Sequence, residues 1–121
     1  MKQLGKRGQM NIDEQVATAL LTKFNISQIY HDNLPEHGVY PMVMYTDLQE
    51  NPALHGDNKL LAREHIIRVT LVTSGNHEIN ALKKDIEDCM IDAGFMWQNT
   101  AKIHDKNEFY TSLDFSKGEK E

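Results

Sequence analysis

Residues Arg63–Thr73 alternate in a way that only a β-strand satisfies. Ile67, Val69 and Leu71 point to one side, while Arg68 and Thr70 point to the other, between Ile66 and Val72. Successive side chains on a strand face opposite ways, so a period of two places each set on its own sheet face. The fold must therefore contain a sheet with one thoroughly apolar face, and something must cover that face.

Two amphipathic stretches supply the cover. Between Asn11 and Phe24, the residues Ile12, Val16, Ala19, Leu20 and Phe24 form one helical stripe. Asn11 is placed to cap this helix, and Asp13 and Glu14 favour its positive end. A second helix is expected over His77–Ala93, burying Ile79, Leu82, Ile86, Cys89, Met90 and Ala93, with Gly94 at its C-terminus. Lys83 and Lys84 precede Glu87 and Asp88 by four residues, which suits a solvated face.

Further strands are expected at Ile26–Tyr30, Met42–Leu48, Phe95–His104 and Glu108–Phe115. The last two are joined by the hairpin-length turn Asp105-Lys106-Asn107, and Phe109, Thr111, Leu113 and Phe115 share a face. His31–Pro41, with Asn33, Pro35, Gly38 and Pro41, reads as a loop. Gln49–Asn58 reads as a long turn-rich loop. The order α-β-β-β-α-β-β predicts an α+β fold: a mixed, mainly antiparallel sheet with two helices on one face.

With 121 residues there is room for one domain. It is expected at 11–115, after a mobile basic arm (1–10) and before a frayed charged tail (116–121). The net charge of −5 is uneven. The arm holds Lys2, Lys6 and Arg7 and no acid, while the other 111 residues hold ten bases and eighteen acids. An acidic body disfavours tight non-specific binding to DNA or anionic membranes. A lone cysteine, no apolar leader and no apolar run near ~18 residues predict synthesis and retention in a reducing cytoplasm, away from membranes.

Chemistry-bearing motifs are scarce. The six histidines (His31, His37, His55, His65, His77, His104) form no i, i+4 helical pair and no HExxH, so no metal is expected. Cys89 lies on an apolar stripe and reads as core rather than nucleophile. Glu87 and Asp88 belong to a solvated face. Adjacent Glu64 and His65 on a strand point to opposite sides and so are not an acid–base pair. Trp97 reads as core or interface, and Met42, Met44, Met90 and Met96 as adaptable core filling. No GxSxG and no glycine-rich phosphate loop occur. No catalytic residue and no cofactor are expected.

The second face of the long strand, carrying Ile66, Arg68, Thr70 and Val72, is half apolar. That suits a subunit contact unless a loop of the same chain covers it. The 49–58 loop adds further candidate contacts at Asn51-Pro52, His55 and Asp57.

Several segments resemble the tail terminators (tail-completion or tail-to-head joining proteins) of long-tailed bacteriophages and prophages. The resemblance runs over about residues 12–115. It is carried by the first helix followed by Ile29-Tyr30-His31-Asp32-Asn33-Leu34-Pro35, by the proline-led Pro41-Met42-Val43-Met44-Tyr45, and by the strand Arg63–Thr73. The helix ending at Gly94 and the closing Glu108-Phe109-Tyr110-Thr111-Ser112-Leu113-Asp114-Phe115 complete it. The basic arm falls outside it. The resemblance implies structural work without catalysis: a ring, commonly a hexamer, that caps the tail tube, ends its polymerisation and meets the head connector. It implies three partners, namely further copies of the chain, the tube protein and the connector, with DNA only passing through. A head-completion or neck protein of the same virion is the nearest alternative; a small ligand-binding domain or enzyme is the more distant one.

Overall fold

The computed structural model describes residues 11–56, 59–75 and 78–120, and their side chains except at 52–62 and 119–120. The expected architecture is present: two helices and one five-stranded mixed sheet. Helix α1 spans Ile12–Leu21, β1 Ile29–His31, β2 Met42–Gly56, β3 Lys59–Ser74, α2 Ile79–Asp92, β4 Met96–Asp105 and β5 Glu108–Lys120. The strand order is β1-β2-β3-β5-β4. Only the β1–β2 pairing is parallel.

Helix α1 begins as the sequence predicts. The Asn11 side chain accepts a hydrogen bond from the Glu14 amide (2.8 Å), and the Glu14 carboxylate accepts one from the Asn11 amide (3.1 Å). Its C-terminus is tied back where the Thr22 hydroxyl donates to the Ala19 carbonyl at 2.7 Å. Helix α2 ends in a Schellman turn. Gly94 adopts φ +94°, its amide bonds the Ile91 carbonyl, and the Phe95 amide bonds that of Met90. Lys117, reaching over from β5, donates to the Ala93 carbonyl (2.9 Å) and to Gln15 of α1 (2.6 Å), so one ammonium joins both helices to the sheet.

Both helices cover one sheet face. Val16, Ala19 and Leu20 of α1 and Ile86, Cys89 and Met90 of α2 bury against Val43, Tyr45, Ile67, Val69, Leu71, Leu113 and Phe115. Burial pushes the Cys89 thiol up to about 11, so it stays a neutral core group.

Three expectations are corrected. Gln49–Asn58 is not a loop: β2 continues to Gly56 and pairs with β3 from Lys59, with Asn51 opposite Glu64 and Gly56 opposite Lys59. Pro52 is tolerated because it lies on a strand with no outer neighbour among the described residues, and register shifts at 47/49, 52/54 and 54/55 absorb the irregularity. The tail is not frayed from 116. Lengthened β3 offers main-chain partners to β5 as far as Ala62 opposite Lys120, and ladder hydrogen bonds do not depend on the charged side chains. Ile26–Gln28 is a 3-10 turn, and β1 starts only at Ile29. The basic arm, Asp57 and His77 lie outside the described residues.

Candidate functional site

The face that the helices leave open is built in cross-strand rows. Register places Met42, Val72, Tyr110 and Ile103 in one row, Met44, Thr70, Ser112 and Ala101 in the next, then Thr46, Arg68, Asp114 and Asn99, then Gln49, Ile66, Ser116 and Met96. The four β3 residues singled out from the sequence thus do share one face. They do not share one environment.

The chain's own 32–41 loop crosses the upper end of this face. A Cβ on Gly38 would crowd the Met42 sulfur and lie 2.9 Å from the Pro35 ring, so the loop backbone packs closely on the Met42 side chain. Tyr40 donates its hydroxyl to Glu108, and Tyr110 donates to the other oxygen of that carboxylate at 2.8 Å. These two hydroxyls hold the Glu108 carboxyl below the usual carboxylate range, and the same bonds raise both tyrosines. Met42 and Val72, at this end, are buried, and so is Thr70 in the next row.

Lower on the face, Arg68 is exposed, but its guanidinium grips Asp114 bidentately, at 2.8 and 3.1 Å. That bond, ahead of any other influence, raises its pKa. Such a pair on the surface contributes under about 1 kcal/mol and fixes the side chain rather than leaving it free for a partner. Thr70 and Ser112 face each other at 3.4 Å. Ile66 is half-buried, as is Asn51. Pro52 and His55 lie in β2 by backbone, with side chains outside the described set.

The exposed apolar surface lies instead on β4. This ten-residue strand is the sheet edge, pairs only with β5 among the described residues, and buries none of its side chains. Met96, Trp97 and Ile103 are 66%, 49% and 64% exposed. The sequence leaves Trp97 as core or interface; its exposure excludes the core. Beside β4, a groove of about 790 Å³ runs along the start of α2, lined by Ile79, Lys102, His104, Phe109 and Thr111 among others. His104 stacks flat on Phe109 at 4.2 Å.

His65 points to the helix side, away from Glu64, and its Nδ1 lies 3.2 Å from Asp47. At the start of α1, His31 stacks on Tyr45 and lies within 3.6 Å of Asp13 and Asp32. Burial, with those two carboxylates, raises the Tyr45 hydroxyl. Nothing in the local sequence signals the His65–Asp47 and His31–Asp13 contacts, whose partners are each 18 residues apart. Among the described residues no group of three His, Cys, Asp or Glu side chains is arranged to hold a metal ion, and no helix is long and apolar enough to cross a membrane. Compared with models of known families and with curated proteins, the chain matches none.

Proposed function

We propose that this chain is a structural assembly protein that works as a ring, capping a phage tail tube, ending its polymerisation and joining the tail to the head connector. The observation that carries the reading is β4, an edge strand with no outer neighbour among the described residues and with three exposed large apolar side chains. An edge of that kind is a template for association that single soluble domains normally blunt. The resemblance of segments 29–35, 41–45, 63–73 and 108–115 to tail terminators supplies the kind of assembly. On this reading the protein is made in the host cytoplasm and ends at the head-proximal end of the tail. The acidic body would line a passage that repels DNA phosphates.

The test is electron microscopy of tail tubes polymerising with and without the protein. Added chain should cap one end of each tube as a ring and stop growth. Tubes that elongate unchanged, with no density at either end, overturn the proposal. Capture by portal or neck protein in preference to tube protein would make it the head-completion component instead. A second reading, a small ligand-binding domain, is favoured only by the groove between α2 and β4, whose mixed lining includes Lys102 and His104.

A further inference from the structure

We propose that the β4 edge of one copy pairs, antiparallel and head to tail, with the outer edge of β2 in the next copy, so that the sheet runs on from subunit to subunit. This deepens the ring reading and rests on it for the occupant being another copy of the chain. The geometry supplies the rest.

The sheet has two unpaired edges among its described residues, and they are different strands. On one side is β4, Met96–Asp105. On the other is β2 from Thr46 to Gly56, because short β1 pairs only with Val43–Tyr45. The two free lengths are ten and eleven residues. A contact between two different patches is heterologous, the kind that generates a ring when its rotation closes.

Strand sense agrees. Taking β2 as pointing up, β3 points down, β5 up and β4 down, since each pairing from β2 to β4 across the sheet is antiparallel. If every copy turns the same sheet face to the ring axis, down-pointing β4 meets up-pointing β2, which continues the antiparallel ladder.

Charge agrees as well. Lys102 and His104 lie opposite Thr111 and Phe109, and so on the helix side of the sheet. On the β2 edge, Asp47 and Glu50 lie opposite Ile67 and His65, again on the helix side. A continued sheet keeps its faces in register, so Lys102 and His104 of one edge face the side of the other that carries Asp47 and Glu50, whose partners within the chain are His65 and Arg63. Trp97, Met96 and Ile103 would lose their exposure to water on either face of the new seam, near Leu48, which is itself exposed at the β2 bulge.

Thiol cross-linking reads the seam directly, because the native Cys89 is buried and unreactive. Ala101 and Gln49 are exposed on the open side of their edges. The full chain carrying both Ala101→Cys and Gln49→Cys, treated with a short bismaleimide, should give a ladder of multimers that ends at the ring size. Either substitution alone should give none. Ile103→Lys, which adds a charge of the type that guards natural edges, should keep the circular dichroism of the parent and weaken association by roughly tenfold. Dimers from Ala101→Cys alone, meaning β4 against β4, overturn the proposal. So do rings that form without the double-cysteine ladder, and these leave the tail reading standing. Monomers at every concentration, with and without tubes, overturn both.

Discussion

Strands β3 and β4 belong to one sheet and are treated oppositely by the rest of the chain. In β3, Ile67, Val69, Leu71 and Val72 have no exposure at all; in β4 not one residue is buried. The centre strand is enclosed by helices below and by the 32–41 loop above, and its side chains hold the fold together. The edge strand keeps comparably apolar residues in water, where they add little to the fold of a single copy. Stability thus rests on the centre strand, and the edge strand is the one proposed to carry association.

The sharpest way to break that contrast is at the centre. Phe115→Ala, opposite Ile67 at the heart of the covered face, should cost about 3–5 kcal/mol. That is a large part of the roughly 5–15 kcal/mol margin of a domain. Denaturant unfolding checks it, and a loss no larger than for an edge substitution would dissolve the distinction. Next comes Lys117→Met, which removes the ammonium that bonds Ala93 and Gln15 and lies over the Phe95 ring, but keeps a side chain of similar length. It should cost about 1–2 kcal/mol by the same measurement.

A smaller effect is expected at the loop clamp. The Glu108 carboxyl titrates below its ordinary 4.5 in the folded chain, so its bonds to Tyr40 and Tyr110 favour folding at neutral pH and are lost as acid protonates it. The tyrosines titrate above their ordinary 10.0, so their contribution holds below that pH and fades as the hydroxyls ionise in stronger alkali. Backbone amide shifts of the 32–41 loop should move on both sides, and Glu108→Gln should abolish the acid-side movement. An unchanged acid transition in that variant would assign it to another group. Smallest of all, Ile103→Lys should shift monomer stability by no more than about 0.5 kcal/mol while reducing association. A larger destabilisation would mean that β4 serves the core after all.

What the sequence revealed follows the same division. Ile67, Val69, Leu71 and the helical stripes are periodic, and periodicity is what burial under a helix writes into a chain. The covered half of the open face was not legible, because Val72 is enclosed through a loop whose clamp, Tyr40 to Glu108, spans 68 residues. The long β2–β3 hairpin was hidden by Pro52 and Gly56, ordinary loop residues that an unpaired strand edge tolerates. The exposure of β4 was hidden too. Met96, Trp97 and Ile103 are residue types that read equally well as core, and only the strand order puts them at the rim.

That strand order has a kinetic consequence. Apart from short β1, the sheet consists of two hairpins, β2–β3 and β4–β5, each closed by a two-residue connection and joined along the β3–β5 seam across the α2 crossover. Residues paired across that seam, such as Ile67 and Phe115, are 48 apart in the chain. Closing short loops is fast and distant pairing is slow, so the seam is the step that waits on chain search. Substitutions along β3 and β5 should therefore slow refolding more than substitutions in either turn, a ranking that stopped-flow measurements can test.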